Sequence, residues 1–531
     1  MSKDEASDEA PEYPSPLMRS FFVGPWDLSE ATAVLPATPV DGRVLLVEST
    51  GHLSALPHHR WKLVLVRSAT RHFRDELRAR GFTVDHRVAD SYVDAIRGHL
   101  ADARPTEVVV PAPAEWGAAR SLEALAAAEP RVRLIEDRRF LTSRADFAAW
   151  ARGRKLLRME DFYRRQRRRL GVLVDGNGDP VGGEWNLDHA NRQTAKALRK
   201  RGVPPAPIAF PPDDVTREVI AEVGALPHQW GDTAGFDLPV TRAQALAALE
   251  DFLAHRFADF GPYEDAMLSG EAYLYHSRLS AAMNVGLLHA EEIVQAALRR
   301  ADAVPLASLE GFVRQIIGWR EYVNGIYWLE MPGYRQVNYF GFEKPLPQLF
   351  WEPERTDLAC VKDSVRTVRD TAYAHHIHRL MILCNFATLA GVHPLRLSEW
   401  FWAGFADAWE WVELPNVVGM GTFGDGGRLA SKPYVSSAAY IQRMSDYCTG
   451  CRYDPSQRTT DDACPFNYLY WTFLDDVRRR GLDVGQRMAL MFKGLDRLPP
   501  EDLDTMHRLR RRFLAGVQPD RTGWTFSHDQ G

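Results

Sequence analysis

No stretch of this sequence approaches the roughly 18 uninterrupted apolar residues that a membrane-spanning helix needs, so a transmembrane protein is excluded. Proline and glycine, 33 and 38 of 531 residues, are too few for a disordered or fibrous chain. The opening MSKDEASDEAPEYPSP lacks the basic and then apolar run of a secretory leader; it reads as a short solvated acidic tail, and the chain is expected to be cytoplasmic. An excess of positive charge is missing as well: the net charge of −5 does not announce a nucleic-acid binder. What is present is the balance of a globular protein with a real core, 45% hydrophobic and 25% charged, and the length suggests two to four domains.

Charge is unevenly spread. Residues 151–170 (ARGRKLLRMEDFYRRQRRRL) hold nine Arg or Lys against Glu160 and Asp161, and basic triplets follow at 199–201, 478–480 and 510–512. Such patches attract phosphate locally, because screening limits their reach to about 8 Å at physiological salt. Solvated helix faces are the competing reading for each cluster.

The first ~145 residues alternate strand and helix signals. RVLLVE (43–48), KLVLVR (62–67), EVVVPA (107–112) and VRLIED (132–137) read as strands buried on both faces, with helical stretches between them, hence a parallel sheet covered by helices. A basic helix, a Gly/Asp turn (175–186) and the Pro-rich 203–214 read as a connector. From Thr241, a fair N-cap, strand signals nearly vanish and long amphipathic helices follow; YAHHIHRLMILCNFATLAG (373–391) is one, with Gly391 as its stop. The expected organisation is a disordered acidic tail (1–20), an α/β domain (21–149), a basic connector (150–240), a large all-α domain (241–510) and a C-terminal tail (511–531).

Among the five cysteines, Cys448-x-x-Cys451 followed twelve residues later by Cys464 is a ligand-type spacing that serves zinc or an iron–sulfur cluster equally. The fourth ligand is Cys360 or Cys384; Cys384 lies in an apolar helix and behaves as a small hydrophobe, which favours Cys360. Gly419-x-Gly421-x-x-Gly424 does not follow a strand and open a helix, so a dinucleotide fold is rejected. WFWAGFADAWEW (400–411) reads as core, or as a row of indoles able to pass single electrons. In the Tyr373–Arg379 run, His375 and Arg379 share one helix face and His376 points elsewhere; a histidine facing a polar cavity is a candidate proton donor.

GRKLLRMEDFYRRQRRR (153–169), PVGGEWNLDHANR (180–192), HSRLSAAMNVGLL (276–288), EGFVRQIIGWREYVNGIYW (310–328), YAHHIHRLM (373–381), WVELPN (411–416), DGGRLASKPY (425–434), MSDYCTGC (444–451) and ACPFNYLYW (463–471) together resemble the photolyase/cryptochrome superfamily, in its iron–sulfur bacterial branch of (6-4) photolyases. The resemblance implies an α/β antenna domain and a helical domain holding FAD. It implies a 4Fe–4S cluster on Cys360, Cys448, Cys451 and Cys464. For FAD it implies Ser277, Arg278, Leu279 and Ser280 around the diphosphate, Gln315 and Trp319 along a helical wall, Asp407 beside the ribityl chain paired with Arg379, and Glu413 at flavin N5 with Asn416 nearby. His376 corresponds to the active-site acid, Tyr434 to a lesion-pocket aromatic and Asp188 to the lesion-side loop, with Trp400 and Trp351 as the electron route.

The implied activity is light-driven repair of (6-4) photoproducts in UV-damaged DNA by a monomer. The alternatives are a blue-light photoreceptor that keeps both cofactors but signals through a partner, and, further off, a non-photoactive iron–sulfur DNA-binding protein. Three departures stand out. Trp26-Asp27-Leu28-Ser29 replaces the family's Asp-Gln-Leu-Ser, which bears on a ribityl-lumazine antenna although Glu48 is kept; Phe401 replaces a Tyr; Cys384 replaces a Gly.

Overall fold

The computed structural model describes residues 18–54 and 56–520. Five strands, β1 (Arg19–Val23), β2 (Gly42–Ser49), β3 (Thr83–Ala89), β4 (Val108–Pro111) and β5 (Val132–Ile135), form one parallel sheet in the order β3-β2-β1-β4-β5. Phe21 of β1 stands opposite Val44 of β2 and Val109 of β4. The central strands are apolar runs buried on both faces, as a sheet covered by helices on each side requires. β3 (TVDHRVA) is a partly exposed edge strand whose polar residues hid it from the sequence pattern.

KLVLVR, expected as a strand, lies instead inside the 20-residue helix Arg60–Ala79, where Leu63, Val64 and Leu65 are fully buried. That helix is covered on one side by the sheet and on another by the helix Asp214–Gly224, and Lys62 reaches the Trp402 carbonyl (2.9 Å). The buried first half of a helix gives the same short apolar run as a buried strand. Its start is marked by His59, whose ring accepts from the Trp61 N–H.

The expected boundaries shift too. β1 begins at Arg19, inside the expected tail; the remainder of that tail, 1–17, and the end, 521–531, lie outside the described residues. The helices Arg144–Ala151 and Pro500–Gly516 run across the boundaries at 150 and 510. The connector carries helices Met159–Leu170, Ala195–Arg201 and Asp214–Gly224, and the Pro-rich stretch between the last two is irregular. Its first helix packs on residues 314–320 of the helical half. One apolar core runs from the sheet into the helices around residues 306–330 and reaches Trp409 and Trp411; a second is built from residues around 358–401 and 463–477.

In the helical half, Thr241 and Gln244 close a capping box on Arg242–His255, and Gly391, at φ +81°, ends the helix Asn385–Ala390. Residues 373–375 are not helical, so His375 precedes the helix that it was expected to share with Arg379. The glycines of Gly419-x-Gly421-x-x-Gly424 close a π-helical turn, unlike a dinucleotide loop. Among the described residues no helix is long and apolar enough to cross a membrane.

Candidate functional site

Three π-helical stretches carry four of the residues assigned to the flavin: Arg314–Arg320 (Gln315, Trp319), His378–Cys384 (Arg379) and Pro415–Gly421 (Asn416). The last two pack against each other. A π-turn widens the helix by one residue and frees backbone groups, and such turns gather at functional sites. Arg379 Nη2 donates to both carboxylate oxygens of Asp407 (2.9 and 3.1 Å), and its Nη1 lies 3.5 Å from Glu413. Ser280 Oγ donates to the same Asp407 carboxylate (2.6 Å), and Asn284 Nδ2 to the Asp407 carbonyl (2.7 Å). Glu413 is buried; burial pushes its pKa up to about 7 against the pull of Arg379, while the Asp407 charge adds to the rise. Lys62, also buried, is pushed down to about 8 by burial.

Ser277–Ser280 turns at Arg278, φ +58°, into the short helix Ser280–Asn284. The Arg278 guanidinium is ion-paired to Asp237 of the connector and lies over the Tyr273 ring (4.4 Å), so this residue offers a ligand its backbone rather than its charge. Gln315 and Asn416 bond to carbonyls of their own helices, Gly311 and Val412, and Trp319 stands edge-on to Tyr322. Buried polar atoms without a protein partner remain at this site, His276 Nε2 and Arg278 Nε among them, as a polar cofactor with many acceptors requires. The residues fit FAD. Cys384 packs directly on Gly421: a Cβ there would stand 2.5 Å from its sulfur.

His376, at the start of the helix leading into Arg379, is half exposed and lies 3.4 Å from the Asp265 carboxylate. Burial alone would lower its pKa, but Asp265 and then Glu264 outweigh it, so His376 holds its proton above the ordinary histidine value. His375 is buried, stacked on His276 (4.4 Å) and close to His378 (4.0 Å), and burial drives it well below the ordinary value. Asp188 pairs with Arg192 and with Arg314 (3.3 Å). Tyr434, partly buried, has Lys432 near its ring (5.8 Å), and it feels the charges of Asp188, Arg192 and Arg487.

Cys360 stands in the first turn of Ala359–Thr371, Cys448 in the turn Tyr447–Gly450 with Cys451 just after it, and Cys464 is the N-cap of Pro465–Arg479. All four line one cavity, together with Tyr447 and Phe466, and none forms a disulfide. No three of their sulfurs lie within 4.8 Å of one another. A single tetrahedral zinc, at about 2.3 Å from each sulfur, would draw them to about 3.8 Å, so the set fits a larger group. Burial and the facing thiols push Cys360 well up, and burial takes Cys464 to about 12 and Cys448 to about 11. Such a nest of thiols becomes thiolate only around a cation.

In the α/β domain, Glu48 accepts from His86 (3.0 Å) and Arg71 (3.4 Å) and lines a small cavity with Val47, Thr70, Tyr92 and Trp409. Trp26 packs edge-on against Tyr92 (5.3 Å) and Trp409 (6.2 Å), while Asp27 faces Arg139 (3.7 Å), burial pushing it to about 7.

Trp400 is buried against Phe405 (5.7 Å), whose ring lies under the Arg379 guanidinium (4.1 Å). Trp400 and Trp351 are both in ring contact with Trp230 (5.9 and 5.4 Å), a connector residue that no sequence motif singles out. Asp265, Glu264 and Lys62 were likewise missed; each is one ionisable residue in an unremarkable run, brought to the site only by folding.

Residues 21–238 match the family described as deoxyribodipyrimidine photo-lyase-related protein. The fold is similar to that of a bacterial class III photolyase from Agrobacterium tumefaciens, with a TM-score of 0.58, 13% identity, and 96% of this chain and 98% of that one covered. It is similar also to a Synechocystis cryptochrome, with a TM-score of 0.50, 11% identity, and 93% and 98% covered. A parallel sheet of this order joined to a helical half of this shape is the architecture of the photolyase/cryptochrome class. A (6-4) photolyase from Agrobacterium fabrum is 43% identical over 482 residues, covering 89% of this chain and 93% of its own length. The chain belongs to the (6-4) photolyase family.

Proposed function

We propose that this protein repairs (6-4) pyrimidine–pyrimidone photoproducts in UV-damaged DNA with light, as a cytoplasmic monomer. The observation that carries the reading is His376, half exposed and kept protonated by Asp265, at the head of the helix whose next turn brings Arg379 to Asp407 and Glu413. FAD would be held by Ser277, Arg278 (through its backbone), Leu279, Ser280, Gln315, Trp319, Arg379, Asp407, Glu413 and Asn416, and when bound it supplies a light-driven single electron. The chain's own work is positional and protonic. A distorted lesion has already lost stacking, which lowers the cost of flipping it out of the duplex toward Tyr434. His376 then gives a proton to the hydroxyl that moves between the bases, a transfer worth about 10²–10⁴ in rate. Glu413, with a pKa near 7, can hold or release a proton beside the flavin ring.

Cys360, Cys448, Cys451 and Cys464 hold a 4Fe–4S cluster in this reading, supported by their wide spacing around one cavity. The deciding experiment illuminates reduced protein with DNA carrying a (6-4) product or a cyclobutane dimer and follows each lesion by chromatography. Loss of the (6-4) product alone is expected. Failure on both lesions by flavin-loaded protein would overturn the repair reading and leave the photoreceptor.

A further inference from the structure

Trp230 reaches the tryptophan pair from outside their own domain. Backbone bonds pin it to the start of the helix Arg60–Ala79: its N–H donates to His58 O (3.2 Å), its carbonyl accepts from Arg60 N (2.9 Å), and Arg60 Nη1 braces the flanking carbonyls of Gln229 (2.9 Å) and Gly231 (2.8 Å). The indole is therefore not what anchors the loop. It lies 5.9 Å from the Trp400 ring and 5.4 Å, at 90°, from the Trp351 ring, and its Nε1–H donates to the Trp351 carbonyl (3.1 Å).

Trp351 is different at its own Nε1–H, which donates to the Asp520 carboxylate (3.1 Å). The segment after the helix Pro500–Gly516 folds back beside residues 346–348 to bring Asp520 there: Gln518 O accepts from Gln348 N (2.9 Å) and Asp520 N donates to Leu346 O (2.8 Å). A carbonyl cannot keep a proton passed to it, whereas a carboxylate can. Of the two outer indoles, only Trp351 is thus bonded to a proton acceptor. Phe401, beside Trp400 (5.2 Å), has no hydroxyl proton to release.

We infer that Trp230 is the middle relay of a Trp400–Trp230–Trp351 electron route, and that Asp520 ends it by taking the Trp351 Nε1 proton. The inference rests on the flavin reading above. After Trp400 has given one electron to the light-excited oxidised flavin, its radical cation takes an electron from Trp230, and Trp230 takes one from Trp351. The Trp351 N–H bond breaks, its proton moves to Asp520 Oδ2, and a neutral indolyl radical remains. A thiol in solution returns a hydrogen atom to that radical and becomes a thiyl radical, while Asp520 releases its proton to water. The net change is one electron from the thiol to the flavin and one proton to solvent.

The test uses flavin-loaded, oxidised full-length protein under blue light with an external thiol. It compares wild type, Trp230→Phe, Trp230→Tyr and Asp520→Asn by flavin bleaching, by transient visible absorption, which separates indole radical cation from neutral radical, and by thermal melting. Trp230→Phe should keep flavin and melting temperature and bleach an order of magnitude more slowly. Trp230→Tyr, still oxidisable, should recover most of the rate. Asp520→Asn should form radicals as fast as wild type, yet leave the cation in place of the neutral form. Wild-type bleaching in Trp230→Phe, equal slowing in the Phe and Tyr variants, or a neutral radical in Asp520→Asn would overturn the route. Protein purified without flavin would instead overturn the flavin reading, and the route with it.

Discussion

His375 and His376 are neighbours in the chain, and their surroundings push them in opposite directions. His375 is sealed between two other imidazoles, and burial and their charges favour its neutral form; Asp265 and then Glu264 favour the protonated form of His376. His376→Ala should keep FAD and lesion binding but lose about 10²–10⁴ in repair rate, read in single-turnover assays with pre-reduced protein. A wild-type rate would refute its role as acid. The pH profile follows from the sign of the shift. A raised pKa keeps the acid form to higher pH, so repair should fall as pH climbs through that raised value; the stability gained from the pair is full below the ordinary value of about 6.5 and is lost over the same upper window. Asp265→Asn removes the largest upward pull, leaves burial to act, and should move the alkaline limb to lower pH. An unmoved limb would show that another group titrates. Sequence resemblance carried His376, Arg379 and Asp407; Asp265 was not legible, because nothing in YEDAML marks one acid over another before the chain folds.

Elements were legible where a short apolar run or a capping residue marked them. β2, β4 and β5 came through as apolar runs, and the Thr241 cap and Gly391 stop mark real helix ends. KLVLVR did not, since the first half of its helix, 61–70, is buried on nearly every side and shows no polar face there. The π-turns at 314–320, 378–384 and 415–421 were also invisible, because one extra residue per turn leaves the spacing almost unchanged; His375 left the face it was expected to share with Arg379 because the helix begins only after it. The cysteine motif was legible in its near half, Cys448 to Cys464, while Cys360 comes from a separate helix. A group bound across that distance closes a long loop and stabilises the folded state alone. Cys360→Ala should give protein that is insoluble or depleted of iron and sulfide by chemical assay. Soluble variant with undiminished iron and sulfide would remove Cys360 from the ligand set.

Over the whole molecule, the basic triplets at 199–201, 478–480 and 510–512 are mostly paired with acids of the same chain. Arg478 pairs with Asp496, Arg479 with Asp475 and Asp476, Arg510 with Asp476, Arg512 with Asp461, Arg199 with Asp446 and Arg201 with Asp259. Arg167 is buried against carbonyls of Val172, Leu173 and Trp185. Runs of positive charge thus overstate the surface open to phosphate, because sequence distance hides the acids that meet them. At Tyr434, Lys432 is lowered by burial and then by the like charges of Arg487 and Arg192, the last of which also pairs with Asp188. An incoming phosphate relieves that repulsion and releases counterions, about one per phosphate met. Lys432→Ala and Arg487→Ala should each weaken DNA binding regardless of base sequence and lower the slope of log affinity against log salt by about 1. Arg479→Ala and Arg510→Ala, which break ion pairs away from Tyr434, should leave that slope unchanged. Titrations across a salt series decide the matter: equal slopes in all four variants would mean that DNA does not meet the protein at Tyr434, and the flipped lesion would need another entrance.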